Sequence, residues 1–330
     1  MLVVKNGLNK VHPVQPDCLA PDVITRTSGA FLEYNYKAMM SESGKILVTG
    51  AGGKTGMAVC QALIQKSAAI RAWVRQEAYT LPLRQLGVED FIVGDLLDTS
   101  LAERAMRGIR AVYHIPPNMN PDELRIAENL IRAVQSREVM RFVYHSVLHP
   151  QVEEMPHHWQ KMRVEERLFA SGLAFTILQP AVYMQNLLGY WPSIQRDGIY
   201  AIPYSIDAPL SQVHLGDVAE AVVKVLLEES HAYAIYELCG AEVLSAREAA
   251  QRISQHLGKP VEAVEDDRDE WQRKMLAGGM SEYAINTLLK MFLYYEKYGM
   301  RGNPNVLRML LGRNPTTFDE FLAVEIKKFD

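Results

Sequence analysis

Residues 45–75 read KILVTGAGGKTGMAVCQALIQKSAAIRAWVR, and this stretch decides the fold. Ile46, Leu47 and Val48 form a short apolar run that stops at Gly50, and Gly50, Gly53 and Gly56 then recur at every third position across a turn. Met57, Cys60, Leu63 and Ile64 follow at i, i+3, i+4 spacing, the stripe of an amphipathic helix. Residues 69–74 make a second apolar run. Strand, glycine loop, helix and strand in this order predict a cradle for a pyrophosphate. Backbone N–H groups and the positive end of a helix dipole hold the charge, and a Cβ in the loop keeps the phosphate away. One glycine makes the tight turn, a second clears space, and a third lets the helix lie close on the strand. Gly52, Lys54 and Thr55 fall in the same loop and are candidate contacts. A plain structural turn is the alternative, and the flanking strands and helix weigh against it. The phosphate loop GxxxxGK[ST] does not fit, because Met57 and Ala58 follow Gly56.

The end of the second strand sets the expected cofactor. A site for NAD usually carries an acidic residue there to hold the ribose hydroxyls, whereas this chain has Arg75 and Gln76. A cation pairs with a 2′-phosphate, so NADP(H) is expected in preference to NAD(H), with NAD(H) still possible. A solvated arginine at a strand end is the plainer alternative.

Composition narrows the classes. With 330 residues, 48% hydrophobic and 22% charged, the chain has the make-up of a soluble globular protein with room for one large α/β domain and a smaller appendage. A net charge of −4 offers no footprint for direct nucleic-acid binding or for an anionic membrane surface. Cys18, Cys60 and Cys239 are scattered, without a CxxC or Cys/His cluster, so a reducing cytoplasm is expected and a metal site is not. No apolar run approaches the roughly 18 residues that cross a bilayer.

Residues 1–43, broken by Pro13, Pro16 and Pro21, show no sustained period and read as a mobile N-terminal extension and a poor secretory signal. From Lys45 strands and helices alternate, the pattern of a doubly wound parallel sheet. Strands are expected at 91–93, 111–115, 141–146 and 174–178, and helices at 98–107, 122–138 and from Pro156 toward Gly172. Ligands bind such sheets at the carboxyl ends of the strands, which groups the Gly50 loop, Asp95, the Pro116 loop and Ser146 on one rim. His157, Lys161 and Glu165 stand at i, i+4 and i+8 and share a helix face. Residues 181–188 read as helical and carry Tyr183 and Asn186. Beyond Gly189 the regularity breaks, and Tyr190, Trp191, Tyr200 and Tyr204 among prolines suit either a substrate pocket or a satellite core. A helix over 218–227 and a strand over 235–238 return to the sheet, and helices fill the chain from Asp267 on. Ser245 with Glu248, and Thr317 with Glu320, have the form of capping boxes. The expected division is a dinucleotide-binding domain over 44–188 and a smaller, mostly helical lobe over 189–330.

With these residues placed, the chain resembles the NmrA-like family of atypical short-chain dehydrogenase/reductases from Lys45 to about Phe321. The motifs are Thr49-Gly50-Ala51-Gly52-Gly53-Lys54-Thr55-Gly56, Val74-Arg75, Gly94-Asp95-Leu96, Lys161 with Val164-Glu165, Phe175-Thr176-Ile177-Leu178-Gln179-Pro180, Tyr183-Met184-Gln185-Asn186 and Asp217-Val218-Ala219. The resemblance implies a Rossmann-type domain for NADP(H) or NAD(H) and a C-terminal lobe enclosing a pocket. It also implies that Asp95 and Leu96 lie by the adenine, that the Pro116 loop lies by the nicotinamide ribose, and that Pro180 belongs to the cofactor site. Some members reduce quinones, dyes or phenylpropanoids, and others sense the NADP(H) state and regulate a partner.

Typical short-chain reductases use Tyr-x-x-x-Lys, in which the lysine helps the tyrosine give up a proton. No tyrosine of this chain has lysine at that spacing. The corresponding place holds His157-x-x-x-Lys161, with Ser146 upstream. An imidazole titrates near neutrality and can donate a proton, and Lys161 can hold the ribose hydroxyls. The plain alternative is a pair of surface histidines and a solvated Lys161–Glu165 pair contributing a few tenths of a kcal/mol. Two functions therefore stand: an NADPH-dependent reductase of a small conjugated or quinone-like acceptor, and a non-catalytic NADP(H) sensor that binds a protein partner. Nothing in the sequence sets the oligomeric state.

Overall fold

Apolar runs that alternate with amphipathic helices wind into one sheet. The computed structural model describes residues 44–137 and 139–325, so the extension expected over 1–43 lies outside the described residues. The winding runs β1 (Lys45–Thr49), α1 (Lys54–Gln65), β2 (Ile70–Val74), α2 (Thr80–Gln85), β3 (Asp90–Val93), α3 (Thr99–Ala105), β4 (Ile109–His114), α4 (Glu123–Gln135), β5 (Arg141–His145), α5 (Pro156–Phe169) and β6 (Phe175–Pro180). There follow β7 (Val182–Tyr183), α6 (Trp191–Asp197), β8 (Ile199–Ile202), β9 (Leu210–Val213), α7 (Leu215–Leu227) and β10 (Ala234–Leu238). The chain then continues through β11 (Val243–Leu244), α8 (Ala246–Leu257), β12 (Glu262–Glu265), α9 (Arg268–Ala277), α10 (Glu282–Tyr298), α11 (Asn305–Leu311) and α12 (Phe318–Glu325).

The main sheet has seven strands in the order β10-β6-β5-β4-β1-β2-β3, all parallel. The winding reverses between β1 and β4, and that switch point opens a crevice at the carboxyl ends of the strands. Because successive strand residues face opposite ways, the sheet builds two cores. Ile46 and Val48 belong with Val59, Cys60 and Leu63 of α1 and Val218 and Val222 of α7, whereas Leu47, Val112 and Ile177 belong with Leu130 and Val134 of α4 and Val164 and Leu168 of α5. Each such aliphatic side chain contributes about 1.5–3 kcal/mol when fully buried, so the two faces hold the sheet rigid under its rim.

The helix expected over 181–188 is replaced by β7 and a 3-10 helix, Met184–Gly189. Val182 and Tyr183 pair with Gln212 and Val213 of β9. A β-branched valine that finds a ladder partner favours the extended chain over a helical turn, and this pairing faces Tyr183 toward the rim. Strands β9 and β11 pair antiparallel, and β8 and β12 pair parallel. Both capping boxes form: Ser245 caps α8 with Glu248, and Thr317 exchanges bonds with Glu320 at the start of α12. The buried carboxylate of Asp217 accepts from Arg313 at 2.8 Å and from the Thr316 N–H at 2.7 Å, which fixes the C-terminal helices against α7. Among the described residues no helix is long and apolar enough to cross a membrane.

Candidate functional site

The glycine loop has the geometry that its spacing predicts. Gly50 has φ +61°, a left-handed conformation that favours glycine. A Cβ on Gly56 would stand 2.4 Å from the Gly50 carbonyl oxygen and 2.5 Å from Ala51 Cα, so Gly56 is the position where helix α1 packs on the loop. Gly53 is the extended N-cap of α1, and a Cβ there would meet only the Gly50 oxygen, at 3.3 Å. Gly52 is needed for a different reason, since its Cβ would lie 2.7 Å from Tyr79 Cβ. Helix α1 has no side-chain cap and no acidic residue in its first turn. Its N-terminus is therefore an electropositive end ready for an anion.

A cavity of about 1200 Å³ opens from that helix end. Its walls include Gly53, Lys54, Thr55, Gly56, Pro116, Ser146, His157, Lys161 and Pro180, which brings most of the sequence-derived candidates into one space. Its far wall is aromatic, with Tyr190, Tyr200, Tyr204, Trp271 and Phe292. Gly50, Gly52, Arg75, Asp95 and Leu96 are not in that wall. Arg75 is exposed directly after β2. Asp95 is exposed after β3 and accepts from the Leu97 N–H at 2.9 Å, and Leu96 is buried in the core on the α4 side of the sheet.

Lys161 is not paired with Glu165. Its Nζ donates to Glu123 Oε1 at 2.8 Å, and the Tyr144 hydroxyl donates to the same oxygen at 2.7 Å. Glu165 instead accepts from the Ser146 hydroxyl and from Gln179 Nε2, and the amide nitrogen lies 3.0 Å from each carboxylate oxygen. The solvated-pair alternative fails because α5 turns its His157–Lys161–Glu165 face inward, where all three side chains are buried. Burial pushes the Glu165 carboxyl above its ordinary value, outweighing the hydrogen bonds that favour the anion. Glu123 Oε2 is buried without a hydrogen-bond partner.

The histidines at the rim are held neutral. Burial, assisted by the positive charge of Lys161, lowers His157 well below the usual imidazole range. The same two causes push His145 down to about 3, and burial pushes His114 down to about 3 and His158 to about 4. An imidazole in this state is both a hydrogen-bond donor and an acceptor at neutral pH, and it is not a stored proton.

Sequence reasoning assigns no site role to His145, Tyr113, Glu123 or Tyr144, and it names Tyr183 only as part of the 181–188 segment and its Tyr183-Met184-Gln185-Asn186 motif. The signal for Tyr183 was present: it follows the end of the sixth strand, on the rim to which Ser146 was assigned from the fifth. Glu123 opens helix α4 with no motif around it, and only the packing of α4 on α5 brings it to Lys161.

Residues 42–322 match the model of the NmrA-like family. The NAD(P)H azoreductase of Xenophilus azovorans is 27% identical over 289 residues, covering 86% of this chain and 99% of that protein. The NADPH complex of an NADPH-dependent quinone oxidoreductase from Escherichia coli has a TM-score of 0.75 at 23% identity, covering 86% of this chain and 100% of the other. The NADP(H) complex of a Citrobacter sp. triphenylmethane reductase has a TM-score of 0.74 at 22% identity, covering 85% of this chain and 99% of the other. At these identities the two structures share the fold with this chain.

Proposed function

For a chain that belongs to the NmrA-like family, we propose an NADPH-dependent reductase that passes hydride to a small conjugated or quinone-like acceptor in the cytoplasm. The observation that carries this reading is continuity: one cavity runs from the uncapped end of α1, past Lys161, to an aromatic wall. A dinucleotide and a flat acceptor occupy such a space end to end, with the anion at the helix and the acceptor among the rings. Relatives named for reducing azo compounds and quinones support the acceptor class.

The residues fit the cofactor. The bare Gly53 N-cap and the absence of a first-turn acid leave the helix end open to a pyrophosphate. Arg75, with no carboxylate beside it in the sequence, suits the 2′-phosphate, and NAD(H) remains a weaker alternative. The exposed Asp95 flanks the adenine in this reading, with Leu96 packed in the core behind it, and Pro116 and Pro180 border the nicotinamide end. When bound, the nicotinamide supplies the hydride. Lys161 holds the ribose hydroxyls while Glu123 keeps its ammonium in place. Ser146, tied to Glu165, orients the acceptor's polar atom. His157, kept neutral, donates or accepts one hydrogen bond at the cavity wall and does not act as an imidazolium acid.

Mixing the protein with NADPH and a panel of quinones, azo compounds and dyes, and following cofactor absorbance, tests the reading. Turnover with flat conjugated acceptors supports it. Tight NADPH binding with no oxidation above background across the panel overturns it and leaves the sensing role.

A further inference from the structure

We propose that Tyr183 is the residue that protonates the reduced acceptor, an assignment that rests on the reductase reading above. The helix carrying Lys161 has no tyrosine four residues earlier, yet a tyrosine reaches the same cavity from β7. The Tyr183 hydroxyl lies 2.8 Å from His145 Nε2 and accepts from Thr55 Oγ1 at 3.2 Å. His145 Nδ1 in turn lies 2.6 Å from the hydroxyl of Tyr113, which is fully buried. Thr55, His145 and Tyr183 all line the cavity, so a line of hydrogen-bonding groups runs from the core to its wall.

A neutral imidazole carries one N–H and one lone pair, and the buried Tyr113 hydroxyl has His145 Nδ1 as its hydrogen-bond partner among the described residues, so we place the Tyr113 proton on that bond. With Tyr113 donating to Nδ1, the N–H on Nε2 points at the Tyr183 oxygen. Thr55 donates to the same oxygen. The Tyr183 proton is then free to face the cavity, and two donors stand ready to stabilise the phenolate that remains when it leaves. The Thr55 bond opposes, without cancelling, the burial that holds the Tyr183 hydroxyl above its ordinary value. Tyr183 and Thr55 also join the acceptor wall to the first turn of α1, so the donor is positioned by the same helix that receives the pyrophosphate.

The step balances. On a conjugated carbonyl acceptor, the hydride pair from the reduced nicotinamide forms a C–H bond and the π electrons move onto oxygen. That oxygen takes the proton as the Tyr183 O–H bond breaks. The acceptor gains two electrons and the cofactor loses two. Water entering after product release returns the proton to Tyr183.

A cationic triphenylmethane dye gives the contrast, because hydride addition at its central carbon yields a neutral product with no proton required. Tyr183→Phe is expected to lower kcat on a conjugated carbonyl acceptor by about 100-fold, the scale of a lost general acid, with KM changed by less than about threefold. Dye reduction should stay within about threefold, and NADPH affinity by calorimetry within about twofold, as for a residue that acts on the proton alone. Wild-type protein should show a solvent deuterium isotope effect on the carbonyl reaction and none on the dye. Equal loss on both acceptors, or no loss on the carbonyl, overturns the assignment. If the variant does not fold, the wild-type isotope effect decides, and its absence from the carbonyl reaction overturns the assignment. Wild-type protein that reduces neither acceptor overturns the reductase reading itself, and the assignment falls with it.

Discussion

Lys161 Nζ and Glu123 Oε1 stand 2.8 Å apart, with the two side chains only 5% and 1% exposed. The pair joins α5 to α4 beneath the cavity, and Tyr144 of β5 shares the same carboxylate oxygen. Three elements thus meet on one charge, and the lysine expected to meet the cofactor is held by a residue 38 positions earlier.

Removing one member of this pair exposes the cost of burying the other. Glu123→Ala is expected to destabilise the fold by about 3–4 kcal/mol, the lower part of the usual range for a broken buried pair because Lys161 lines the cavity. Glu123→Leu combined with Lys161→Met should recover most of that loss. Urea titration of the single and double variants measures it. A single variant as stable as wild type would show that the pair contributes nothing.

The loop glycines separate packing from ligand approach. Gly56→Ala is expected to destabilise by about 1–3 kcal/mol, because the added methyl meets the loop backbone at Gly50 and Ala51 and the helix must shift. Gly53→Ala should fold nearly as well, since its Cβ meets one atom only, at 3.3 Å, but it should bind NADPH more weakly. Thermal melts and calorimetry on the two variants give opposite orders of effect. Finding the same order in both assays contradicts this division of roles.

Arg75→Ala should weaken NADPH roughly 10- to 100-fold while leaving NADH nearly unchanged, the scale of one charge-assisted bond to a phosphate. Competitive binding of the two reduced cofactors to wild type and variant reads the difference. Equal weakening of both would remove Arg75 from phosphate recognition.

Acid should unfold the protein early. In the unfolded chain the histidines take up protons near their ordinary value of 6.5, while in the fold His114 and His145 resist protonation down to about 3 and His158 down to about 4. The unfolded state therefore binds more protons throughout that window. Stability is full above about pH 6.5 and falls on acidification by up to about 1.4 kcal/mol per pH unit for each such histidine. Glu165, raised by burial, works in the opposite sense, because its folded form takes up a proton more readily than the unfolded one. Three histidines outweigh one carboxyl. Urea midpoints measured from pH 7 to pH 4.5 should drop steadily, and His114→Asn should flatten the slope. A flat profile in the wild type contradicts the neutral-histidine account.

The glycine loop, the strand order along the chain, the two capping boxes, a rim that groups the Gly50 loop, the Pro116 loop and Ser146, and a shared helix face for His157 and Lys161 could all be read from residues 45–330 alone. Each depends on spacing within a few positions, and local backbone geometry follows from local spacing. The partner of Lys161, the inward turn of the α5 face, the neutrality of the four rim histidines and the seat of Tyr183 were decided only by tertiary packing. Thr55 and Tyr183 touch across 128 positions and His145 and Tyr183 across 38, and burial is set by whatever the fold lays over a side chain. No periodicity records such neighbours. A residue's chemistry at this site is a property of the surfaces that close on it.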